Sequence, residues 1–420
     1  GPGPGWVASA MARRVTGPRL HSTSAANLLL VGSLGFAALI VARVLGPAAY
    51  GDYSLAITLC AIAVLTLTLG TGIAVRLLYV EHGQRAFGPY AQVTIGAAVA
   101  TFVVLAPMTA MFQDSLTFGL AVGFLGAITV LSRQAIDGYH ALGRTERAIM
   151  LTAAAAALNA ALVLVLAALH VLTATWAVLV AALCAFLPLI AFLRTAGPAH
   201  FNPLPLRVHW PLAKRMVRIG LPTLGNSLGI SILQRADRVV LAAFAGPAAL
   251  GIYAAAAGLG ELARIAPTSI GQVAFYRAST RDLRAERRLR VMGLLLAAVL
   301  TAVTIALAPL LVPLLYGQEY IDSVPILQVI ALGEVVYALS FVDSRLLLGR
   351  GRVKVVGALG LACAIFGMAV YFVLIPPLAG MGAAWASVVN YAALSILMAV
   401  AYWRDNRTED TVGGGSAVLT

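Results

Sequence analysis

The chain has 420 residues, of which 61% are hydrophobic and only 11% charged, against about 45–50% and 25% in soluble domains. That balance, with a mean hydropathy of +0.93, excludes a water-soluble globular protein and leaves an integral membrane protein. A net charge of +13 would suggest nucleic acid as the partner of a soluble chain, so here its position relative to the apolar segments decides its meaning.

Residues 1–20 read as a cytoplasmic tail. GPGPG at its start and GGGS at 413–416 carry no fold information, and Met11 reads as the natural start. The first apolar run, 21–42, follows Arg13 and Arg14 like a signal anchor, but it is longer than a signal-peptide core and lacks a small-x-small cleavage site. Eleven more runs follow at 52–75, 87–112, 115–136, 148–169, 171–193, 216–245, 248–275, 291–314, 323–345, 355–376 and 380–403. Each is close to the roughly 20 residues a spanning helix needs. None alternates with period 2, so the expected fold is an all-α bundle of twelve transmembrane helices and not a β-barrel.

Basic residues fall in alternate intervals between these runs. They include Arg76 and Arg85; Arg133, Arg144 and Arg147; Arg277 to Arg290; and Arg345 to Lys354, whereas the other intervals hold Asp52, Asp114, Glu319 and Asp322. The positive-inside rule places the basic side, and with it both termini, in the cytoplasm. Anionic inner-leaflet lipid then suffices as the partner of the positive charge, with no need for nucleic acid. Cys60, Cys184 and Cys363 lie inside apolar runs and read as small buried hydrophobes, not disulfide or metal ligands.

The chain repeats itself. RVLGPAAYGDY around Gly46, Pro47, Gly51 and Tyr53 returns as AFAGPAALGIY around Gly246, Pro247, Gly251 and Tyr253, two hundred positions later. DGYHALGR at 137–144 is echoed by DSRLLLGR at 343–350. Twelve runs thus divide into two sixes, and because six is even the copies are parallel. The expected organisation is a first six-helix lobe over 21–194, a basic Pro-rich cytoplasmic linker over 195–215, a second lobe over 216–403 and a tail over 404–420, with a central cavity. Each Gly-Pro pair reads as the outer corner of a hairpin: Pro ends the odd helix, Gly supplies a positive φ, and Tyr sits at the membrane interface.

Taken in order, RVLGPAAYGDY, the second-half corner, LLYGQEYIDSVPILQVIAL, LLLGRGR and IPPLAGMGAAWASVV resemble the polysaccharide-transporter branch of the multidrug/oligosaccharidyl-lipid/polysaccharide exporter superfamily, nearest to Wzx-type flippases. The resemblance covers roughly residues 20–400. It implies a monomeric transporter in the bacterial cytoplasmic membrane that moves a polyprenyl-diphosphate-linked oligosaccharide, such as an O-antigen unit, to the outer leaflet by alternating access. It also implies partnership with a polysaccharide polymerase or glycosyltransferases, and no cofactor beyond a coupling proton, sodium ion or the membrane potential.

Charges found in only one copy of the repeat are the site candidates. Arg235, Asp237, Arg238, Glu261 and Arg264 have Gly35, Ala37, Ala38, Ala61 and Val64 as counterparts, so the architecture does not need them. Charges within a membrane segment cost several kcal/mol unless they are paired or face water. Arg264 sits near the bilayer centre, about 24 Å from Ala248 and 20 Å from Arg277 at about 1.5 Å per residue. It suits an anionic head group, while an i,i+3 pair with Glu261 is the plainer reading. Arg235 and Arg238 either snorkel or line a cavity, with Asp237 balancing one of them. Glu334 is expected either to titrate with a coupling ion or to pair with an arginine across the lobes. Asn27 is a polar cavity candidate. Pro222, Gly225, Gly229 and Pro267 are hinge candidates, with close helix packing as the alternative.

No phosphate-cradling loop, acid pair or histidine cluster supports an enzyme. The other readings are a multidrug and toxin extrusion antiporter, a lipid II flippase and a non-transporting scaffold. Against the antiporter, residues 20–110 offer only Asp52 and Glu81 as carboxylates.

Overall fold

Breaks in helical geometry, more than loops, organise this chain. The structure, a computed structural model, describes residues 20–196, 210–279 and 282–414. Among these, every regular element is helical. We label them α1 Leu20–Leu67, α2 Thr71–His82, α3 Phe87–Gln113, α4 Leu116–Ala141, α5 Thr145–Ala168, α6 Ala174–Ala196, α7 Trp210–Gly260, α8 Ile265–Ser279, α9 Leu283–Leu315, α10 Ser323–Gly349 and α11 Val353–Gly414.

Three of these bend sharply. Gly46 (φ 75°, ψ 176°) breaks α1 and Gly246 (φ 80°, ψ 179°) breaks α7. The two copies of the motif thus adopt one backbone conformation, which glycine reaches without the Cβ clash other residues suffer. Ala379 (φ 47°, ψ −126°) breaks α11 just after Pro376 and Pro377. Among the described residues, eight continuous helical stretches are long and apolar enough to cross a membrane. Divided at these bends, with α2 and α8 continuing the segments before them, the described helices accommodate twelve crossings, consistent with the sequence count.

Two details of the corner differ from expectation. Pro47 does not end the odd helix: it follows the broken residue and opens the next helical segment, where its missing N–H would be unsatisfied anyway. Tyr53 and Tyr253 are not interfacial rings, being 8% and 2% exposed.

The chain packs as two compact units, Gly1–Leu45 with Ala56–Leu224, and Gly46–Leu55 with Gly225–Thr420. In the first, Ala74, Val75, Leu78, Phe87, Tyr90, Tyr139, Phe192 and Met216 form a continuous core. Its ring contacts run from Tyr79 to Phe87 to Phe192 to Tyr139. Asp137 is buried there and accepts from Arg76 Nη2 at 2.6 Å, with Arg133 Nε at 3.6 Å. In the second unit Ile270, Leu289, Tyr337, Leu346, Tyr391, Met398 and Tyr402 anchor the core.

The duplicated aspartates are ion-paired in both units, but not with Arg144 or Arg350, the arginines that share their repeated motif. Asp343 takes Arg290 Nε at 2.5 Å, while Arg350 binds Glu286, Asp405 and Asn406. Glu286 is fully buried, and Tyr402 donates to it at 2.7 Å while stacking under the guanidinium groups of Arg290 and Arg350. Each of these buried carboxylates therefore has a guanidinium partner, as a low-dielectric interior requires.

The corner itself is packed backbone to backbone within the second unit. A methyl added at Gly51 would overlap the carbonyl of Pro247, and one at Gly251 would overlap the carbonyl of Pro47.

Candidate functional site

The charges that interrupt the second copy gather in one polar network in the second unit. Its local cause is Pro267, which has no N–H to donate to the carbonyl of Ala263. The helix tightens into a 3-10 turn over Glu261–Arg264 just ahead of α8. That turn holds the two charged side chains, and each is taken by a different helix.

Arg264 reaches α10. Its Nε donates to Glu334 Oε2 at 2.6 Å and its Nη2 to Oε1 at 2.7 Å, a bidentate pair. Nη2 also donates to the hydroxyl of Tyr391 at 2.7 Å, and the guanidinium lies 4.8 Å from the ring centre of Tyr337 and 5.6 Å from that of Tyr391. Glu334 is 1% exposed and Arg264 17%. Tyr337 in turn accepts from Gln234 Nε2 of α7 at 2.7 Å. The i,i+3 pair of Arg264 with Glu261 does not form, and Glu334 finds its arginine inside its own unit instead of across the lobes.

Glu261 pairs with Arg238 Nη2 at 2.6 Å, so Arg238 is tied inward and does not snorkel. Glu261 remains 39% exposed, and Arg238 Nε is buried without a partner. Among the described residues Asp237 forms no direct ion pair: it accepts from the main-chain N–H of Arg238 at 2.8 Å and from the hydroxyl of Tyr253, and its charge lies close enough to act on the Arg238 guanidinium. Arg235 is half-buried and, among the described residues, forms no ion pair.

The remaining candidates lie elsewhere. Asn27 is exposed on α1, in the first unit. The hinge candidates Pro222 and Gly225 fall where the structure describes only the backbone, which continues as α7. Gly229 packs its Cα against the main chain of Gly360 and Leu361, the close helix contact expected of a small residue. Of the tyrosines beside these charges, Tyr337 and Tyr391 carry no signal in the sequence, and Tyr253 stands out there only as a corner ring. Their hydroxyls mattered only once the fold brought them to Asp237, Gln234 and Arg264. Among the described residues no group of three metal-ligating side chains is found.

This bundle has the fold of solved membrane transporters and flippases. An inward-facing multidrug resistance MATE family transporter of the MOP superfamily matches with TM-score 0.72 at 15% identity, over 91% of this chain and 96% of that one. The lipid II flippase MurJ in an inward closed conformation matches with TM-score 0.75 at 10% identity, over 90% and 87%. A MOP superfamily transporter from Pyrococcus furiosus, described as having a binding pocket of reverse polarity, matches with TM-score 0.59 at 13% identity, over 90% and 95%. No curated protein matches in sequence. The chain belongs to the polysaccharide biosynthesis protein family, whose model matches residues 29–281. Its apolar helices of bilayer length make it a multi-pass membrane protein.

Proposed function

We propose that the protein is a flippase that carries a polyprenyl-diphosphate-linked oligosaccharide from the inner to the outer leaflet of the bacterial cytoplasmic membrane by alternating access, with both termini in the cytoplasm. The observation that carries this reading is the arginine cluster of the second unit, whose counterparts in the first copy are uncharged.

Within that cluster the arginines differ in commitment. Arg264 is held by Glu334, Tyr391 and two aromatic faces, so it fixes the geometry of the network. Arg235 has no carboxylate partner among the described residues, and Arg238 shares a half-exposed one. A diphosphate would therefore be met first by Arg235 and would then compete with Glu261 for Arg238. A guanidinium stays charged at low dielectric and grips phosphate bidentately, which a lysine cannot do. Carrying about two negative charges outward is downhill by roughly 2.3 kcal/mol per charge per 100 mV, so the membrane potential supplies a driving force.

The test is flipping of a polyprenyl-diphosphate oligosaccharide in proteoliposomes under an imposed potential. Arg235→Ala should lower the rate about 10–100-fold, the loss of one or two charge-assisted contacts, with thermal unfolding unchanged. Intact protein that moves no lipid-linked sugar but exports an organic cation would replace this reading with an antiporter.

A further inference from the structure

The helix α9 presents two unlike faces. One is buried and carries Glu286, Leu289, Gly293, Ala297 and Thr301. The other carries the exposed Arg284, Arg287 and Arg288 and then, at helical spacing, the exposed Val291, Met292, Leu295 and Val299. These residues line a groove of about 850 Å³. We infer that this groove is a binding site for one anionic phospholipid, its phosphate on the three arginines and an acyl chain along the apolar stripe.

Three observations converge on that occupant. The first is charge: among the described residues none of the three arginines forms an ion pair, whereas Arg290 and Arg350 nearby are both engaged by carboxylates. The second is length. From Arg288 to Val299 the helix rises about 16 Å, which is half of the roughly 30 Å hydrocarbon core, so the apolar stripe matches the depth of a single leaflet. The third is the repeat. In the first copy the corresponding stretch, 83–94, holds Arg85 as its sole cation, and Gln84, Phe87 and Gly88 stand two hundred positions before the three arginines. The helical hairpin forms there without them, so the cations are an addition to the architecture.

A phosphate headgroup fits the donors, because adjacent guanidinium groups one turn apart bracket its oxygens. The arginine-rich end is the one the charge bias assigns to the cytoplasmic leaflet, where anionic lipids concentrate. At about 1 kcal/mol per cation near the surface, three arginines correspond to an affinity difference of about 100-fold.

The test uses the full-length protein purified in mild detergent, offered phosphatidylglycerol or phosphatidylcholine, with retained lipid counted by native mass spectrometry. Phosphatidylglycerol should be retained preferentially and should raise the unfolding temperature. Substituting glutamine at Arg284, Arg287 and Arg288 together should weaken retention about 100-fold and abolish that rise. The equivalent triple change at Arg85, Arg144 and Arg147 should do neither. Leu295→Trp, which keeps every charge but fills the stripe, should also weaken retention, separating lipid seating from simple charge attraction. Equal loss in the control triple, equal retention of phosphatidylcholine, or undiminished retention in the groove triple would each overturn the proposal.

Discussion

Replacing Glu334 by glutamine would expose how much of the second unit rests on one buried pair. The change keeps the shape of the side chain but removes the charge that two guanidinium hydrogen bonds at 2.6 and 2.7 Å now meet. With Glu334 at 1% exposure and Arg264 at 17%, the orphaned cation cannot recover its hydration. Breaking such a pair costs about 3 kcal/mol or more. For a unit of this size each kcal/mol moves the midpoint by about 2–4 °C, so the unfolding temperature should fall by about 6–12 °C. Cys363, a buried free cysteine of the second unit, supplies the assay: kept as the sole cysteine, it leaves a thiol-reactive fluorophore dark until the helices around it separate. Changing Glu334→Leu and Arg264→Met together should recover most of the loss, since a matched apolar pair is often no worse than a buried ion pair. An unchanged midpoint in Glu334→Gln, or a double variant as unstable as the sum of the two single ones, would refute the reasoning.

Further outcomes can be checked the same way. Gly51→Ala and Gly251→Ala should each collapse the yield of folded protein, because the added methyl meets main-chain carbonyl, whereas Gly35→Ala and Gly96→Ala, which meet nothing within 4 Å, should leave it unchanged. Glu286→Gln should lower the unfolding temperature by several degrees, because Arg350 loses its fully buried carboxylate and keeps only Asp405 and Asn406, while Arg352→Gln, at a site 50% exposed, should cost under about 1 kcal/mol. Ala379→Gly should raise the midpoint by a few degrees, since Ala379 holds φ 47° at a strain of about 1 kcal/mol or more that glycine does not suffer.

The parts of the molecule legible in the sequence are those governed by the membrane. Apolar runs of bilayer length, and glycines recurring at a fixed offset, follow from lipid thickness and backbone sterics, and both copies of the corner take one backbone conformation at Gly46 and Gly246. The candidate charges were legible too, because the repeat shows where charge is dispensable. Their partners were not. Glu334 and Arg264 are 70 residues apart, Arg350 and Glu286 are 64, and no local spacing announces which of several carboxylates a guanidinium reaches. Local spacing even misled: Glu261 and Arg264, three apart, share a 3-10 turn yet face different helices. Tyr337 and Tyr391 were hidden for a similar reason, since an aromatic in an apolar run reads as core until its hydroxyl has an address.

The reciprocal seating of Gly51 on Pro247 and Gly251 on Pro47 has the form of an isologous contact, in which residue i meets j and j meets i. Within the second unit the two motifs are therefore related by a local two-fold, each glycine admitting the other motif's main chain. That contact sets a rule for divergence. Away from that contact the copies are free to differ: Arg235, Arg238 and Arg264 stand two hundred positions after Gly35, Ala38 and Val64. At the axis every atom serves both copies, so a substitution in one corner must be answered in the other, and the two motifs have stayed legible as one sentence written twice.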